Sequence, residues 1–392
     1  MPQQSPDGVP AGAGKRPPLT PPQPAPVFLG SEIYRGSSYG VDHPLRVPRV
    51  STVIDLGRAL GWLHPGNYRT SPRAKPGTLT LWHTPDYVAA LQAAERSQSV
   101  SDAVRARHHL GTASNPIYPE MFRRPATAAG ASMLAATLLA AGGVVHHPGG
   151  GTHHGMPDRA NGFCFLNDPV LSILSLRRLG LIRVAYVDLD AHHPDGVEHA
   201  FRDDPDVLMI SVHEVNRWPR TGHLSDRGAG NLFNLPVPRG FNDSEMALVR
   251  DRLILPRVTA HRPEAVVLQC GSDAVTEDPL SQLALSNNAH IAVLAGLRPL
   301  APRLLVLGGG GYNPWSVGRL WTRVWAELNG FALPDRLPAA AETVLRGLDG
   351  QTFRQRGTPP PDWYRTLADP PRNGPVRTEI RSRLTALGGV MV

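Results

Sequence analysis

The stretch IRVAYVDLDAHHPDG, residues 182–196, combines a predicted strand with a dense polar loop. Its first part, Ile182–Asp188, is apolar and rich in β-branched side chains, which is typical of a strand that is covered on both faces. Three carboxylates and two imidazoles lie within residues 188–195. They cannot all be buried unpaired, because each buried charge needs a partner or a metal. The stretch therefore predicts a strand of a parallel sheet that ends in a functional site.

Further segments of the same kind alternate along the chain with helical ones. The other clear strands are Val207–Val212, Ala265–Gln269 and Leu304–Leu307. The helical period predicts helices at Val50–Gly61, Pro85–Arg96, Ala126–Ala141, Asn167–Leu179, Asp243–Ala260, Asn287–Leu297 and Trp315–Leu328. This alternation predicts a single α/β domain of three layers, in which helices cover both faces of a mainly parallel central sheet. In such sheets the ligand site lies beyond the carboxyl ends of the strands.

The composition limits the classes of protein to consider. With 392 residues and 41% hydrophobic side chains, the chain can bury a sizeable core, which excludes a small disulfide-stapled scaffold. Two cysteines, Cys164 and Cys270, are too few for a disulfide framework or a structural zinc ribbon. The net charge of +7 would suit a nucleic-acid partner. However, 38 of the 40 basic residues are arginines, and seven of these arginines lie in the C-terminal residues 351–392. A basic nucleic-acid-binding face is therefore not expected.

The two ends of the chain differ in composition from its middle. Residues 1–26 are rich in Pro, Gln and Gly and have no apolar core for a signal peptide, so a disordered tail is predicted. Residues 336–392 form a Pro/Arg-rich C-terminal extension of the main domain, residues 27–335. The longest apolar stretch, Ala131–Val145, is shorter than the ~20 residues that span a bilayer, and it predicts a buried helix that runs into a strand. Unpaired cysteines without a secretion signal indicate a cytoplasmic setting.

Side chains at the strand ends have the chemistry of a metal site. Alternate residues of an extended chain point the same way, so Asp190 and His192 are natural ligands for one divalent ion, with Asp188 behind them. Asp273 follows another predicted strand and lies at the same edge of the sheet. Three protein ligands leave a fourth position free, as in catalytic zinc sites. The alternative is a helix start that Asp195 caps, with the histidines on the surface.

Two glycine-rich loops add candidate catalytic groups. Three glycines precede the pair His153–His154 and let the backbone approach a ligand closely, and adjacent imidazoles beside a metal suit proton transfer. Nothing in the sequence links a second histidine pair, His146–His147, to the other site-forming segments, so this pair is predicted to be structural. The run Gly308–Gly311 lacks the downstream residues of a nucleotide site, so it is expected to present the Tyr312 hydroxyl to a developing oxyanion.

Together these segments resemble the zinc-dependent histone deacetylase family, including its bacterial acetoin-utilization and acetylpolyamine amidohydrolase branches. The resemblance covers roughly Val27 to Leu333 and depends on five motifs in the family's order. They are HPL at 43–45, GGTHH at 150–154, GFCFLND at 162–168, YVDLDAHH at 186–193 and GGGGYN at 308–313. The set is highly specific, although each glycine run alone is a weak signal. It implies an arginase/deacetylase-like fold with residues 27–335 as the catalytic domain.

The resemblance implies roles for the residues of the site. The ligands of a zinc ion, or of Fe²⁺, which the same set accepts, would be Asp190, His192 and Asp273. His154, backed by Asp195, would be the main general base and acid, and His153, backed by Asp188, would give electrostatic support. Tyr312 would be the oxyanion donor. A structural potassium ion would lie near Asp188, Asp190, His192 and Ser211.

The resemblance also implies a tunnel for the acylated side chain. Its predicted contacts are Arg49, Gly162, Phe163, Trp218, Leu280 and Gly310. The alternative for Trp218 is an ordinary packed aromatic, and the alternative for Arg49, which would contact leaving acetate, is a structural salt bridge. Residues 111–116 contain no acidic residue, where some relatives use Asp to bind the substrate backbone. Leu280 stands where the eukaryotic polyamine-selective branch carries Glu, which favours acetyl-lysine over a polyamine.

The expected activity is therefore metal-dependent hydrolysis of an N-acetyl amide, in the first place N6-acetyl-lysine in proteins. The alternative substrate is an acetylpolyamine or another acetylated small amine. Other classes are a non-catalytic acyl-lysine or metal-binding module, a nucleic-acid-associated protein, and a two-metal ureohydrolase, which would need further bridging carboxylates. No membrane partner is expected, and the sequence leaves the oligomeric state open.

Overall fold

Eight strands form one sheet in this computed structural model, which describes residues 24–348 and 359–388. In chain order they are β1 (Val27–Gly30), β2 (Tyr68–Thr70), β3 (Gly143–His147), β4 (Val184–Asp188), β5 (Val207–Glu214), β6 (Leu232–Val237), β7 (Ala265–Gln269) and β8 (Arg303–Leu307). The spatial order is β2-β1-β3-β8-β7-β4-β5-β6, and every pairing between neighbours is parallel. The predicted parallel sheet is thus confirmed.

Helices cover both faces of the sheet. They are α1 (Ile33–Gly36), α2 (Val50–Ala59), α3 (Pro76–Leu79), α4 (Pro85–Ser97), α5 (Asp102–His108), α6 (Arg123–Leu138), α7 (Asp168–Arg178), α8 (Asp195–Phe201), α9 (Asp243–Val249), α10 (Leu255–His261), α11 (Asn287–Leu297), α12 (Pro314–Asn329), α13 (Ala339–Arg346), α14 (Asp362–Arg365) and α15 (Thr378–Ala386). Val184 and Tyr186 of β4 belong to a core with α6, α7 and α8. Ala185 and Val187 belong to a core with α2, α10, α11 and α12. Because alternate residues of one strand enter opposite cores, the domain has the predicted three layers.

Most predicted elements are confirmed with small shifts at their ends, but one predicted helix is divided and some strands were not predicted. The predicted helix Asp243–Ala260 is interrupted by a π-helical turn, Arg250–Ile254, between α9 and α10. Pro256 explains the break, because it has no N–H and its ring would meet the carbonyl of residue 252 in a regular α-helix. The strands β1, β2 and β6 were not predicted. β6 contains Pro236, which is tolerated there because this strand lies at the edge of the sheet.

The described part of residues 336–392 packs against the domain. Ile380 and Leu384 of α15 are buried in the same core as α10 and α11. Arg377 forms a 2.6 Å ion pair with the buried Glu245 at the start of α9. The tail predicted for residues 1–26 lies outside the described residues, apart from residues 24–26. Among the helices of residues 24–348 and 359–388, none combines the length and apolar character needed to cross a bilayer.

Candidate active site

The carboxyl ends of β4 and β7 bring the candidate metal ligands together. The two strands are neighbours, and Asp190 lies two residues after β4, at the start of the loop that also holds His192. Asp273 lies in a 3₁₀ turn, Ser272–Ala274, just after β7. His192 and His193 are both buried, so the alternative of a helix start with surface histidines is wrong. Parallel strands end at the same edge of the sheet, which explains why such distant residues meet.

Asp190, His192 and Asp273 form a buried cluster whose chemistry fits a divalent cation. One donor atom of each lies within 4.8 Å of the other two, and His192 Nδ1 is 2.9 Å from Asp273 Oδ2. Burial and the charge of Asp190 raise the pKa of Asp273 to about 6, because neighbouring carboxylates repel each other in a low dielectric. A cation between them would remove this repulsion. Within residues 24–348 and 359–388 this is the one group of three or more such side chains close enough to share an ion.

Each histidine of the GGTHH loop is paired with a carboxylate. His153 Nδ1 lies 2.8 Å from Asp188 Oδ2, and His154 Nδ1 lies 2.7 Å from Asp195 Oδ1. The centroids of the two imidazole rings are 4.0 Å apart. A carboxylate only accepts hydrogen bonds, so each Nδ1 carries a proton. Both predicted His–Asp pairs are therefore formed in the structure.

The two imidazoles differ in charge at neutral pH. Burial disfavours the charged form of His153, but the negative charges of Asp188 and Asp190 outweigh it and raise the pKa of His153 to about 9. For His154, burial and the positive charge of His153 lower the pKa to about 4. At pH 7 His154 is thus neutral, with an unprotonated Nε2, while His153 is positive. His154 can accept a proton and His153 cannot.

The glycine-rich loop after β8 closes over the cluster. Gly310 N donates to Asp190 Oδ2 at 2.6 Å. A Cβ atom at Gly310 would lie 2.1 Å from Asp273 Oδ2, so only glycine lets the chain approach the cluster this closely. Tyr312 follows two residues later, and it lines the same cavity as His153 and His154. The loop thus brings a phenol to the cavity of the two histidines.

The mouth of this cavity is largely apolar. Phe163, Trp218 and Leu280 are among the residues that line it. The Trp218 side chain is 43% exposed, and its ring meets the ring of His154 edge to face with centroids 4.6 Å apart. It is therefore not an ordinary packed aromatic of the core. A Cβ atom at Gly162 would lie 2.1 Å from the Trp218 ring, so the tryptophan rests directly on this part of the chain.

Arg49 lies against the glycine-rich loop. Its Nη1 donates to the carbonyl oxygen of Gly309 at 2.8 Å, and its guanidinium lies 5.3 Å from the ring centroid of Trp321. Within the described ranges this guanidinium bonds to carbonyl oxygens and forms no ion pair, which argues against the structural salt bridge. Arg49 also lines the cavity of the two histidines.

Ser211 lies beside Asp188, because the two residues are paired in the register of β4 and β5. Its Oγ is 2.8 Å from His213 Nδ1. Asp188 Oδ1 accepts from the backbone N–H of Asp190 at 2.9 Å, so three of the four residues named for the potassium site are neighbours. The ion itself stays a prediction.

The second histidine pair is structural, as predicted. His146 and His147 are fully buried in β3. The ring nitrogens of His146 lie 3.2 Å from the carbonyl oxygens of Val306 and Trp321. Burial lowers the pKa of His146 to about 3, so the ring is neutral.

Three polar residues that support the site, of which Tyr186 and Asp168 are buried and Asn161 is half-buried, were not predicted as site residues. The Tyr186 hydroxyl donates to Asp188 Oδ2 at 2.6 Å, and Asn161 Nδ2 donates to Asp195 Oδ2 at 2.9 Å. Asp168 accepts hydrogen bonds from backbone N–H groups of the GGTHH loop at 2.8–3.1 Å. Tyr186 could have been found, because it stands two residues before Asp188 and so shares its face of the strand. Asp168 belongs to the GFCFLND motif.

Solved structures share this architecture. An HDAC homologue from Aquifex aeolicus superposes with a TM-score of 0.88 at 34% sequence identity, over 93% of this chain and all of that chain. An HDAC homologue complexed with SAHA gives a TM-score of 0.89 at 35% identity, with the same coverage of both chains.

The sequence itself has close relatives. It matches the family described as "Histone deacetylase domain" over residues 43–328. It is 32% identical to the acetoin utilization protein AcuC of Bacillus subtilis over 80% of this chain and 84% of that protein. It is 33% identical to the putative histone deacetylase 2 of Caenorhabditis elegans over 77% of this chain and 61% of that protein. The chain thus belongs to the histone deacetylase family and is a hydrolase that acts on acetyl amides.

Proposed function

We propose that this hydrolase removes the acetyl group from N6-acetyl-lysine side chains of proteins. One observation carries the proposal: the buried metal-binding cluster, His154 and Tyr312 border one cavity whose mouth lies between Phe163 and Trp218. A lysine side chain is a slender apolar chain that ends in the acetyl amide. Such a group suits an apolar channel with a few polar groups at its base.

The metal that this family requires would be held by Asp190, His192 and Asp273. Two carboxylates and one imidazole suit Zn²⁺, with Fe²⁺ as the alternative. When bound, such an ion polarises the amide carbonyl and lowers the pKa of water beside it. A structural potassium ion near Asp188 and Ser211 belongs to the same proposal.

His154 is the general base and then the general acid. Its Nδ1 donates to Asp195, so its Nε2 is free to accept the proton of the attacking water. The imidazolium then delivers this proton to the departing amine. His153, held by Asp188 and positively charged, contributes by stabilising negative charge that develops nearby. The unequal charges of the two rings support this division of roles.

Tyr312 donates its hydroxyl to the carbonyl oxygen as that oxygen becomes negatively charged. Burial and the charges of Asp273 and Asp190 hold the pKa of Tyr312 well above its ordinary value, so the phenol keeps its proton. The products are acetate and a free amine. Arg49, at the cavity wall beside Gly309, attracts the departing acetate.

The charge at the mouth favours acetyl-lysine over an acetylpolyamine. Among the described residues that line the mouth, none is a carboxylate, and Leu280 occupies the rim. The cation there, Arg217, pairs with the buried Glu214 at 2.8 Å. A polyamine carries several positive charges and would find no unpaired negative charge. Cys164 and Cys270 are unpaired, which agrees with the cytoplasmic setting proposed for the reaction.

The deciding experiment is a competition between an acetyl-lysine peptide and acetylspermidine on purified protein of defined metal content. We expect acetate release from the peptide, loss of activity on chelation and in His154→Ala, and normal activity in His64→Ala, which changes an exposed histidine. Faster release from acetylspermidine would instead support the polyamine substrate. Binding of the peptide without turnover at full metal occupancy would support a non-catalytic module.

A further inference from the structure

One loop between β7 and α11 carries residues from different parts of the site. Asp273 at its start belongs to the metal-binding cluster, and Leu280 at its far side lines the mouth of the cavity. Between them lies Asp278, which is 5% exposed and has no part in the mechanism above. A carboxyl group this deeply buried needs hydrogen-bond donors.

Both oxygens of Asp278 accept hydrogen bonds from backbone N–H groups. Oδ2 accepts from the N–H of Tyr312 at 2.7 Å, and Oδ1 accepts from the N–H of Leu280 at 2.9 Å. The side chain therefore links the backbone that carries the phenol to the backbone that forms the rim.

The ring of Tyr312 is buried in an apolar cluster and meets the ring of Phe163 with centroids 6.1 Å apart, but the backbone before it offers little support. The four residues before it are glycines, and Gly309 and Gly311 have φ angles of 133° and 141°. Glycines have wide conformational freedom and no side chains to pack, so they do not by themselves hold the residue that follows. The N–H of Tyr312 is attached to the same Cα atom as its side chain, so fixing it limits where the phenol points.

Two flanking hydrogen bonds join the same loops without holding the Tyr312 peptide itself. Ser272 N donates to the carbonyl oxygen of Gly310 at 2.8 Å, and Asn313 Nδ2 donates to that of Glu277 at 3.1 Å. Asp278 lies between these two links. Asp278 therefore bonds to the N–H of Tyr312 itself at 2.7 Å, whereas Arg49 Nη1 reaches the Gly311 carbonyl oxygen of the same peptide unit at the longer distance of 3.4 Å.

We propose that Asp278 is a positioning residue that holds the Tyr312 hydroxyl in the cavity and couples it to the rim at Leu280. This inference rests on the oxyanion-donor role of Tyr312 in the proposed function. Asp278 acts through the backbone of Tyr312 and does not touch the substrate.

A double-mutant cycle on the full-length, metal-loaded protein tests the proposal, with the better of the two substrates in the competition above. Asp278→Asn leaves a single acceptor for two N–H donors, and it should lower kcat by about 10-fold or more while KM changes by less than about 3-fold. In the Tyr312→Phe background the same change should lower kcat by less than about 2-fold, because the hydroxyl that Asp278 positions is already absent.

Glu277→Gln is the matched control, because this neighbouring carboxylate pairs with Arg372 and not with Tyr312. It should leave kcat within about 2-fold of the wild-type value. Two results would overturn this inference but leave the proposed function intact. One is an equal loss of kcat from Asp278→Asn in the wild-type and Tyr312→Phe backgrounds, and the other is full activity of Asp278→Asn. Full activity of Tyr312→Phe overturns the role of Tyr312 in the proposed function, and the inference falls with it.

A readout without turnover separates positioning from unfolding. In metal-free protein, Asp278→Asn should speed hydrogen exchange in the peptide that covers residues 308–313, while the melting temperature stays near that of Glu277→Gln. Unchanged exchange contradicts the proposal. If Asp278→Asn does not fold, Asp278→Glu, which keeps a carboxyl group but shifts its oxygens, should give the same non-additivity with Tyr312→Phe, and additive losses would overturn the proposal.

Discussion

Arg319 of α12 and Asp369 of the C-terminal segment form an ion pair 2.7 Å long, with both side chains almost fully buried. The other oxygen of Asp369 accepts from the N–H of Asn287 at the start of α11, 2.8 Å away. Arg319 Nε donates to the carbonyl oxygen of Thr366 at 2.8 Å. A segment beyond the family match at residues 43–328 is thus joined to two helices of the domain.

Asp369→Asn should therefore reduce the free energy of unfolding by about 3–5 kcal/mol, because it leaves the buried Arg319 without a charge partner. Urea unfolding followed by circular dichroism measures this loss. The control is Asp251→Asn, because Asp251 is half exposed in its ion pair with Arg250. This variant should lose less than about 1 kcal/mol of the free energy of unfolding. Similar losses in the two variants would contradict a stabilising role for the buried pair.

The fall of kcat/KM at low pH should reflect protonation of His154. Its pKa of about 4 reflects burial and the positive charge of His153. The neutral ring is the active form, so kcat/KM should hold from neutral pH into the mildly acid range and fall as the pH approaches this pKa. His153→Asn removes the neighbouring charge, so the pKa of His154 should rise and the fall of kcat/KM should move to higher pH. Metal content is measured at each pH as the control. If the fall of kcat/KM occurs at the same pH in His153→Asn as in the wild type, the charge of His153 does not act on His154.

Gly162→Ala should disturb the mouth of the cavity. The new Cβ atom would lie 2.1 Å from the Trp218 ring and 2.9 Å from His154 Cδ2, and the φ of +50° is unfavourable for alanine. We expect kcat/KM to fall by about 10-fold or more as these side chains are displaced. Steady-state kinetics and tryptophan fluorescence measure the two effects. Gly77→Ala, which meets no atom within 4 Å, should change neither, and normal kinetics in Gly162→Ala would show that the contact is unimportant.

Asp273→Asn should weaken metal binding by more than about 100-fold, because loss of a ligand exceeds the usual effect of losing a residue that only supports one. The measurement is metal content by mass spectrometry after dialysis against a weak chelator. Asp251→Asn, a change of the same kind outside the cluster, should keep the wild-type content. If the Asp273→Asn protein keeps its full metal content, Asp273 is not a ligand of the proposed metal site.

The elements that could be predicted are those whose signal lies within a few residues. The apolar run of β7 and the helix Asn287–Leu297 match the structure at both ends. β6 escaped prediction because Pro236 is acceptable only at a sheet edge, and edge position depends on the order of the whole sheet. The π-helical turn before Pro256 likewise depends on how α9 and α10 pack together. Local propensity does not contain this information.

The candidate site divides in the same way. The sequence by itself determined the alternation of Asp188, Asp190 and His192, because side chains of an extended chain repeat every two residues. Only the tertiary structure decided that Trp218 borders His154 at the mouth and that Asp278 bonds to the backbone of Tyr312. Such contacts join segments far apart in the chain, and they depend on strand order and loop conformation. Residue chemistry and local spacing are therefore readable along the sequence, whereas the meeting of distant loops is a property of the packed sheet.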